Sequence, residues 1–248
     1  MGLYWITNRA EKEVKNYHSE LEWRRNFVNE LKTRGVDVVI DVGANSGQYA
    51  RRLREADFDG RVVSFEPLSG PYSRLHRVAS KLPLWDCRQC ALGDFDGATT
   101  MNVAGNAGES SSILPMLQLH RDIFPTANYI GTEEVTVSRL DSVASEVLVP
   151  DEVAFLKIDV QGFEKQVIEG GRATIIGRCV GIELELSFEP LYEGGMLIDE
   201  AFALLDSLGF ALKGLVPGFM DPRAGRMLQA DGVFFRVDDR ALIEMDCG

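Results

Sequence analysis

The stretch VVIDVGANSGQYA, residues 38–50, decides the fold class of this chain. A short apolar run leads to Asp41, a turn with two glycines follows over residues 43–47, and Gln48 begins a predicted helix. A buried strand that passes through a glycine turn into a helix is typical of the first unit of a doubly wound α/β sheet, in which ligands bind at this turn. The ligand that fits the turn therefore indicates the function.

The segments after this stretch alternate in the same way between short apolar runs and amphipathic stretches. The predicted strands are VDVVIDV (36–42), RVVSFEP (61–67), LPLWDCRQCAL (82–92), VAFLKIDV (153–160), CVGIELEL (179–186), FALKGLV (210–216) and ADGVFFRVD (230–238). Helices are predicted over residues 48–56, 70–81, 162–175 and 197–208. This alternation predicts an α/β fold with a mostly parallel sheet and helices on both faces.

The chain is predicted to form one domain with an extension and an insert. Residues 10–34 have apolar positions at helical spacing, so residues 1–35 are interpreted as an N-terminal helical extension. Residues 36–248 form the single domain. Within it, residues 94–134 are a long insert after the third strand, beginning with a predicted short hairpin, DGATTMNVAG (96–105). A connection of this length usually has a function, such as a lid or a binding loop.

The composition disfavours several classes of partner. The 248 residues carry a formal net charge of −12, which repels phosphate backbones and anionic membrane surfaces, so we expect no nucleic-acid partner. The sequence has no run of about 18 apolar residues, and its N-terminal part lacks the apolar stretch of a signal peptide. We therefore expect no membrane span and a cytoplasmic location.

The cysteines do not predict a metal site. Cys87 and Cys90 are the one close pair, and they fall in a predicted strand, where residues three apart point to opposite faces. Cys179 and Cys247 are isolated, which disfavours a zinc ribbon, and a redox pair would stand at a helix N-terminus. We interpret the cysteines as ordinary thiols and expect a metal-free mechanism.

The first turn excludes some nucleotides. A P-loop needs Gly-Lys-Ser/Thr, and Gln48 and Tyr49 supply neither the cation nor the hydroxyl. Asn45 and Gln48 occupy two glycine positions of the dinucleotide fingerprint, so a nicotinamide or flavin cofactor is the weaker interpretation. A ligand with a positive charge and a ribose remains, because Asp41 would face an ammonium or sulfonium and Glu66 would hold both ribose hydroxyls. S-adenosylmethionine meets these demands.

Seven stretches together resemble the FkbM family of S-adenosylmethionine-dependent methyltransferases. They are DVGANSGQYA, FEP, CALGD, VTVSRLDSV, FLKIDVQGFEKQVIEGG, IELEL and DGVFF, and the resemblance covers nearly all of residues 36–237. It implies the class I methyltransferase (Rossmann-like) fold, a seven-stranded sheet whose last strand is antiparallel. It also implies O-methylation of a hydroxyl on a sugar or a natural product.

The resemblance also implies a set of cofactor-binding residues: Asp41, Gly43, Asn45, Ser46, Gly47, Gln48, Tyr49, Glu66, Pro67, Ala91, Leu92 and Asp159. Glu66 would bind the ribose, with Pro67, Ala91 and Leu92 beside the adenine. Asp159 would face the methionyl amine or the acceptor. The family pattern reads Asp-Val-Glu-Gly where this chain has Gln161, so a role that needs a charge at position 161 is in doubt.

Methyl transfer to a hydroxyl requires a base that accepts its proton. The candidate catalytic residues are Asp159, which ends a central strand, His120 in the insert, and Glu185 near a strand end. Weaker candidates for the site are Glu164, Glu183, Ser110, Ser111, Ser112, Phe188 and Tyr192, the two aromatic residues being placed at the substrate rim. His18 and His76 are interpreted as surface or packing residues.

We therefore predict a cytoplasmic S-adenosylmethionine-dependent O-methyltransferase that acts on a small-molecule or glycosylated acceptor. If the chain self-associates, we expect a homodimer. Two alternatives stay open at this point, a nicotinamide-dependent oxidoreductase and a non-catalytic binding module on the same fold. They differ in the ligand they bind, NAD for the first and none or an unreacted cofactor for the second.

Overall fold

The computed structural model describes residues 20–237, so His18, Cys247 and the first part of the predicted N-terminal helix lie outside the described residues. The strands are β1 (Val38–Val42), β2 (Arg61–Phe65), β3 (Trp85–Arg88), β4 (Ala91–Leu92), β5 (Gly97–Ala104), β6 (Tyr129–Ser138), β7 (Ala154–Ile158), β8 (Cys179–Ser187), β9 (Phe210–Pro217), β10 (Met220–Asp221), β11 (Arg226–Met227) and β12 (Gln229–Arg236). The helices are α1 (20–33), α2 (Gln48–Glu55), α3 (Ser69–Ala79), α4 (Gln118–Ile123), α5 (Leu140–Val147), α6 (Glu164–Gly170), α7 (Arg172–Arg178) and α8 (Ile198–Ser207), with a 3-10 turn at Pro125–Ala127. Within this part of the chain, no helix has the length and apolar character needed to cross a membrane.

Seven strands form the main sheet in the order β3-β2-β1-β7-β8-β12-β9. The strands β3, β2, β1, β7 and β8 are parallel neighbours, and β12 runs antiparallel to both β8 and β9. This is the predicted seven-stranded, mostly parallel sheet of a class I methyltransferase fold, which is confirmed. The chain leaves β1 toward β2 on one side and returns through β7 on the other, so the strand order reverses between β1 and β7, where such folds bind ligands.

Two apolar layers cover the two faces of this sheet. Every residue of β1 is buried, and successive residues point to opposite faces. Val39 packs in the layer that contains α2 and the Phe27 and Leu31 side chains of α1. Ile40 packs in the other layer, which contains side chains of α5, α6 and α8. Asp41 therefore lies on the same face as Val39, beneath α1 and α2.

The predicted third strand is wrong in its extent, because it is two strands. β3 ends at Arg88 opposite Phe65, the last residue of β2, and Pro67 then carries the neighbouring chain away from the sheet. Ala91 and Leu92 instead pair with Val137 and Ser138 in a separate three-stranded sheet, β4-β6-β5. These two residues still lie beside the carboxyl end of β2.

The predicted hairpin at 96–105 is also wrong. Residues 97–104 form one extended strand, β5, in which Thr99, Thr100 and Val103 favour extended backbone. The partner of β5 is β6, beyond α4, so the insert is an ordered subdomain whose pairing runs to Val137 with β5 and to Ser138 with β4.

The predicted helix over 162–175 is interrupted at Gly171, which separates α6 from α7. A Cβ at Gly170 would lie 1.7 Å from the carbonyl oxygen of Gly93, so the chain passes the insert at backbone contact here. The other predicted helices and strands of the domain are confirmed with shifts of a few residues at their ends.

Candidate functional site

A cavity of about 390 Å³ opens at the carboxyl ends of β2, β1, β7 and β8, in the size range of small-molecule sites. Its lining changes along the sheet. The β2 end carries Glu66 among apolar side chains, namely Phe65, Pro67, Ala91 and Leu92. The middle carries Gly43, Asn45, Gln48, Tyr49, Lys157 and Asp159, and the β8–β12 end carries Glu185, Gln229, Asp231, His120, Phe124 and Phe219. The cavity thus joins an apolar end to a polar one.

Glu66 is held rigidly at the apolar end. One carboxylate oxygen accepts a hydrogen bond from the Asn45 backbone N–H at 2.8 Å, and the other accepts from the Leu68 backbone N–H at 2.9 Å. Burial raises the pKa of Glu66 to about 7. Because a carboxylate oxygen can accept more than one hydrogen bond, both oxygens can still accept from a diol. The arrangement fits the predicted ribose contact.

The glycine turn is shaped by close packing. A Cβ at Gly43 would lie 1.8 Å from the carbonyl oxygen of Asp159, so the ends of β1 and β7 meet here and only glycine fits. Asn45 and Gln48 line the cavity as predicted, and Asn45 has a left-handed backbone with φ 46°. Gly47 does not line the cavity. Glycine is needed there because a Cβ would lie 2.8 Å from the Trp85 ring.

Ser46 likewise does not line the cavity, and its expected contact with the cofactor is not supported. Its hydroxyl donates to the Asn45 side-chain oxygen at 2.9 Å and accepts from Arg74 at 2.8 Å. Ser46 therefore holds the turn against α3.

The prediction that Asp41 faces the cation of the ligand requires correction. Asp41 is fully buried beneath the cavity and does not line it. Its carboxylate accepts a hydrogen bond from Ser64 at 3.0 Å and lies 3.5 Å from the ammonium of Lys157, which is also 3.3 Å from the Asp159 carboxylate. Burial lowers the pKa of Lys157, but the nearby acids, led by Asp159 and Asp41 and including Glu183 and Asp231, together outweigh it and raise that pKa overall. Lys157 lies between Asp41 and Asp159. Of these two acids, only Asp159 lines the cavity.

Tyr49 and α1 cover this polar layer. The Tyr49 hydroxyl donates to Glu183 at 2.7 Å, and burial raises the pKa of both groups. Arg24 of α1 reaches the same place, with its guanidinium 5.2 Å from the Tyr49 ring centroid and Nη1 4.0 Å from Glu183. An arginine of the N-terminal extension therefore belongs to the lining of the cavity.

Gln161, the departure from the family pattern, connects two carboxylates. Its side-chain amide donates to Asp159 and to Glu185, both at 2.9 Å, and its oxygen accepts from the Tyr192 hydroxyl at 2.7 Å. Gln229 donates to the same oxygen of Glu185 at 2.7 Å. A neutral amide is needed at position 161 because it supplies the donors that hold the two acids together.

The three predicted catalytic residues all line the cavity but differ in their state. Burial raises the pKa of Glu185 well above its ordinary value, and neighbouring acids raise it further. Burial lowers the pKa of His120 to about 4, so its imidazole is neutral at pH 7. His120 is packed edge-on against Tyr192, with ring centroids 5.3 Å apart. Asp159 is engaged by Lys157 and Gln161.

Asp231 is a site residue that the sequence reasoning missed. It lies opposite Glu185 in the β8–β12 register and lines the cavity. Its side chain has no hydrogen-bond or salt-bridge partner within residues 20–237. Burial raises its pKa to about 7, with Glu183 and Asp159 acting in the same direction and Lys157 and Arg24 opposing them. The signal in the sequence was an acid inside an otherwise apolar strand.

Several weaker predictions are corrected by their burial. Tyr192 is fully buried and Phe188 does not line the cavity, so Phe124 and Phe219 replace them as its aromatic residues. Glu164 accepts hydrogen bonds from the N–H groups of Val160 and Gly162 and does not line the cavity either. Ser110 and Ser111 line it, whereas Ser112 donates to the Gln161 carbonyl. His76 is exposed, as predicted.

The charge of the lining fits a cationic ligand. Of the described side chains around the cavity, six are carboxylates and three are lysine or arginine. The carboxylates are Glu66, Glu109, Asp159, Glu183, Glu185 and Asp231, and the cations are Arg24, Arg52 and Lys157. With Glu185 protonated, five acids still face three cations, and in a region of low dielectric constant such an excess of acid attracts an ammonium or sulfonium group. Within the described residues, no group of three or more His, Cys, Asp and Glu side chains has the geometry of a metal site.

Comparisons with known proteins match the chain to one family model and to several relatives. A family model described as "Methyltransferase FkbM domain" matches residues 41–212. The "2-O-methyltransferase NoeI" of Sinorhizobium fredii is 26% identical over 199 residues, covering 78% of this chain and 81% of the relative. The "31-O-demethyl-FK506 methyltransferase FkbM" of Streptomyces tacrolimicus is 27% identical over 165 residues, covering 56% of this chain and 61% of the relative.

Solved structures resemble the chain at lower identity. The methyltransferase domain of bacterial CtHen1-CN has a TM-score of 0.47 at 12% identity, covering 87% of this chain and 99% of that one. A precorrin-6y C5,15-methyltransferase from Geobacter metallireducens has a TM-score of 0.44 at 13% identity, covering 88% of each chain.

Proposed function

The chain belongs to the FkbM methyltransferase family, and we propose that it transfers the methyl group of S-adenosylmethionine to a hydroxyl of a sugar or a related natural-product acceptor. It is an O-methyltransferase, and the family uses a cofactor of the S-adenosylmethionine type. This membership disfavours the nicotinamide oxidoreductase and the non-catalytic module. The identity of the acceptor is the part that we propose.

The residues of the cavity fit the cofactor. Glu66 would hold the ribose hydroxyls, and the apolar side chains of Pro67, Ala91 and Leu92 would contact the adenine. Asp159 would accept a hydrogen bond from the methionyl ammonium at the turn with Gly43. When bound, the cofactor supplies an electrophilic methyl group on a sulfonium, so the protein has to position a hydroxyl, remove its proton and exclude water.

The observation that carries the proposed acceptor is the lining of the β8–β12 end. Phe124 and Phe219 stand there beside Gln229, Glu185 and Asp231. Amide and carboxylate groups bind hydroxyls by hydrogen bonds, and an aromatic face packs against the C–H face of a sugar ring. The printed names of two relatives describe methylation of an oxygen: one is a 2-O-methyltransferase, and the other acts on 31-O-demethyl-FK506. Both names support a hydroxyl as the acceptor group.

We assign the base to Asp231 among the acids of the cavity. Asp159 is paired with the Lys157 ammonium and accepts a hydrogen bond from the Gln161 amide, and Glu185 accepts from two amides and holds its proton tightly. Asp231 has no partner in the described chain, and its pKa of about 7 matches proton transfer near neutral pH. In this mechanism Glu185 and Gln229 orient the hydroxyl, and Asp231 accepts its proton as the oxygen attacks.

The test is transfer of a labelled methyl group from S-adenosylmethionine to a panel of glycosides and polyketide lactones. We expect product on a free hydroxyl and a fall in kcat of roughly 100- to 10,000-fold in Asp231→Asn, with S-adenosylhomocysteine binding unchanged. The matched control is Asp206→Asn, an exposed acid on α8, which leaves kcat unchanged. In the wild type kcat rises with pH through about 7, because Asp231 must lose its proton to act as a base.

Transfer to amines with none to hydroxyls would refute the proposed acceptor. A kcat in Asp231→Asn within a few-fold of the wild type would refute the assignment of the base and return it to Asp159 or His120.

A further inference from the structure

Arg24 occupies a position that a packing role does not explain. Together with Phe27, Val28 and Leu31 it forms the face of α1 that packs on the domain, at helical spacing, and these three apolar neighbours are buried in the core. Arg24 is itself only 8% exposed, and it lines the cavity. Arg25, the next residue, points to solvent.

The guanidinium of Arg24 lacks hydrogen bonds. Nε and Nη1 are buried and have no hydrogen-bond partner in the described part of the chain. The neighbouring acid, Glu183, is 4.0 Å from Nη1, and its other oxygen is taken by the Tyr49 hydroxyl. The rings of Trp23 and Tyr49 hold the guanidinium at 4.9 and 5.2 Å. A buried arginine with unmet donors is costly unless a ligand supplies acceptors.

The other cations of the cavity are engaged. Lys157 lies between Asp41 and Asp159, at 3.5 and 3.3 Å. Arg52 is 54% exposed at its side chain and pairs with Glu20 at 3.6 Å. Arg24 is thus the one lining cation within residues 20–237 whose donors are buried and unmet. Everywhere else the acidic lining would repel an anionic group.

We propose that Arg24 binds the α-carboxylate of the methionyl group of the cofactor. The proposal rests on the proposed function, and it deepens it by adding the N-terminal helix, which lies before the matched residues 41–212, to the cofactor site. A guanidinium suits a carboxylate because its planar fork donates two parallel hydrogen bonds. The methionyl ammonium would then face Asp159, and the carboxylate would face the buried Nε and Nη1 of Arg24, which have no hydrogen-bond partner within the described residues.

Two ligands test the proposal on the intact chain. S-adenosylhomocysteine has the amino-acid group, whereas 5′-methylthioadenosine has the same nucleoside and lacks the carboxylate. Calorimetric titration would compare the wild type with Arg24→Met, Arg24→Lys and the matched control Arg25→Met. Thermal unfolding without ligand would check that each variant is folded.

We expect Arg24→Met to raise the Kd of S-adenosylhomocysteine by roughly 10- to 100-fold, with Arg24→Lys between it and the wild type. The Kd of 5′-methylthioadenosine, measured by competition with a tighter ligand where heats are small, stays unchanged in both variants. Arg25→Met changes neither Kd.

Equal weakening of the two ligands by Arg24→Met would overturn the proposal, because Arg24 would then only support the fold. An unchanged Kd of S-adenosylhomocysteine in Arg24→Met would also overturn it. If the wild type binds no S-adenosylhomocysteine, the proposed function itself fails, and this outcome is distinct from the other two. If Arg24→Met is unfolded, Arg24→Lys decides by the ratio of its effects on the two ligands.

Discussion

The ion pair beneath the cavity leads to a prediction that needs neither cofactor nor acceptor. Asp41 is fully buried, which raises its pKa, and Lys157, 3.5 Å away, is the neighbouring cation that opposes this rise. Lys157→Met keeps most of the side-chain volume and removes the charge. We expect a loss of stability at pH 7 of about 3 to 4 kcal/mol, within the usual cost of leaving one buried charge without its partner.

The structure sets a limit on this loss and gives it a pH dependence. The variant can avoid a buried unpaired charge by protonating Asp41, so the cost of protonation is the upper limit of the loss. For a carboxyl with an ordinary pKa of 3.8, that cost is about 4 kcal/mol at pH 7 and under 2 kcal/mol at about pH 5. Burial raises the pKa of Asp41 in the folded state above its unfolded value even beside Lys157, and removing Lys157 raises that pKa further. The stability of the variant is therefore complete below the unfolded pKa and is lost as pH rises toward the folded pKa.

Urea unfolding at the two pH values would measure these differences. The double variant Asp41→Asn/Lys157→Met should recover more than half of the loss, because it removes both charges and leaves an amide that Ser64 can contact. The matched control Lys213→Met, at an exposed position on β9, should change the free energy of unfolding by less than about 0.5 kcal/mol. A loss under about 1 kcal/mol in Lys157→Met, or a double variant as unstable as the single one, would refute the reasoning.

Three further predictions follow from single contacts. Burial depresses the pKa of His120 from 6.5 to about 4, so the wild type should lose up to about 3 kcal/mol of stability as the pH falls between these values. Urea unfolding of His120→Phe at a series of pH values should show no such loss. Tyr49→Phe leaves the Glu183 carboxylate without its 2.7 Å donor and should lower the free energy of unfolding by about 1 to 3 kcal/mol, whereas an unchanged value would contradict the contact. The Cβ of Gly43→Ala would lie 1.8 Å from the Asp159 carbonyl oxygen, so this variant should not bind S-adenosylhomocysteine in a calorimetric titration. The control Gly177→Ala has nothing within 4 Å of its Cβ, so it should leave binding unchanged and the free energy of unfolding unchanged or slightly higher.

The main sheet was predictable because hydrophobic periodicity records burial directly. Strands such as β1 and β7 are buried at every residue and therefore read as apolar runs, each with a single charged residue, Asp41 and Lys157. The insert was not predictable, because the pairing of β5 with β6 depends on contacts between segments far apart in sequence. The break between α6 and α7 at Gly171 adjoins the approach of Gly170 to Gly93, a contact that no local pattern records.

The candidate site was predictable where a residue ends a strand, as Glu66 and Asp159 do. Asp41 was misplaced because the period of a strand sets its face but not what covers that face. Covering it are Tyr49 and Arg24, and the second of these comes from a helix outside the motifs. A charged residue at a core-facing helical position, as at Arg24, or inside an apolar strand, as at Asp231, was the available signal.

The most direct test of the central claim is calorimetric titration of the protein with S-adenosylhomocysteine, with NADH as the competing ligand class. We expect micromolar binding in the wild type, a loss of roughly 10-fold or more in Glu66→Ala, no effect of Glu193→Ala at an exposed position, and no binding of NADH. Binding of NADH without S-adenosylhomocysteine, or equal affinity in Glu66→Ala and the wild type, would contradict the account of this cavity as the cofactor site.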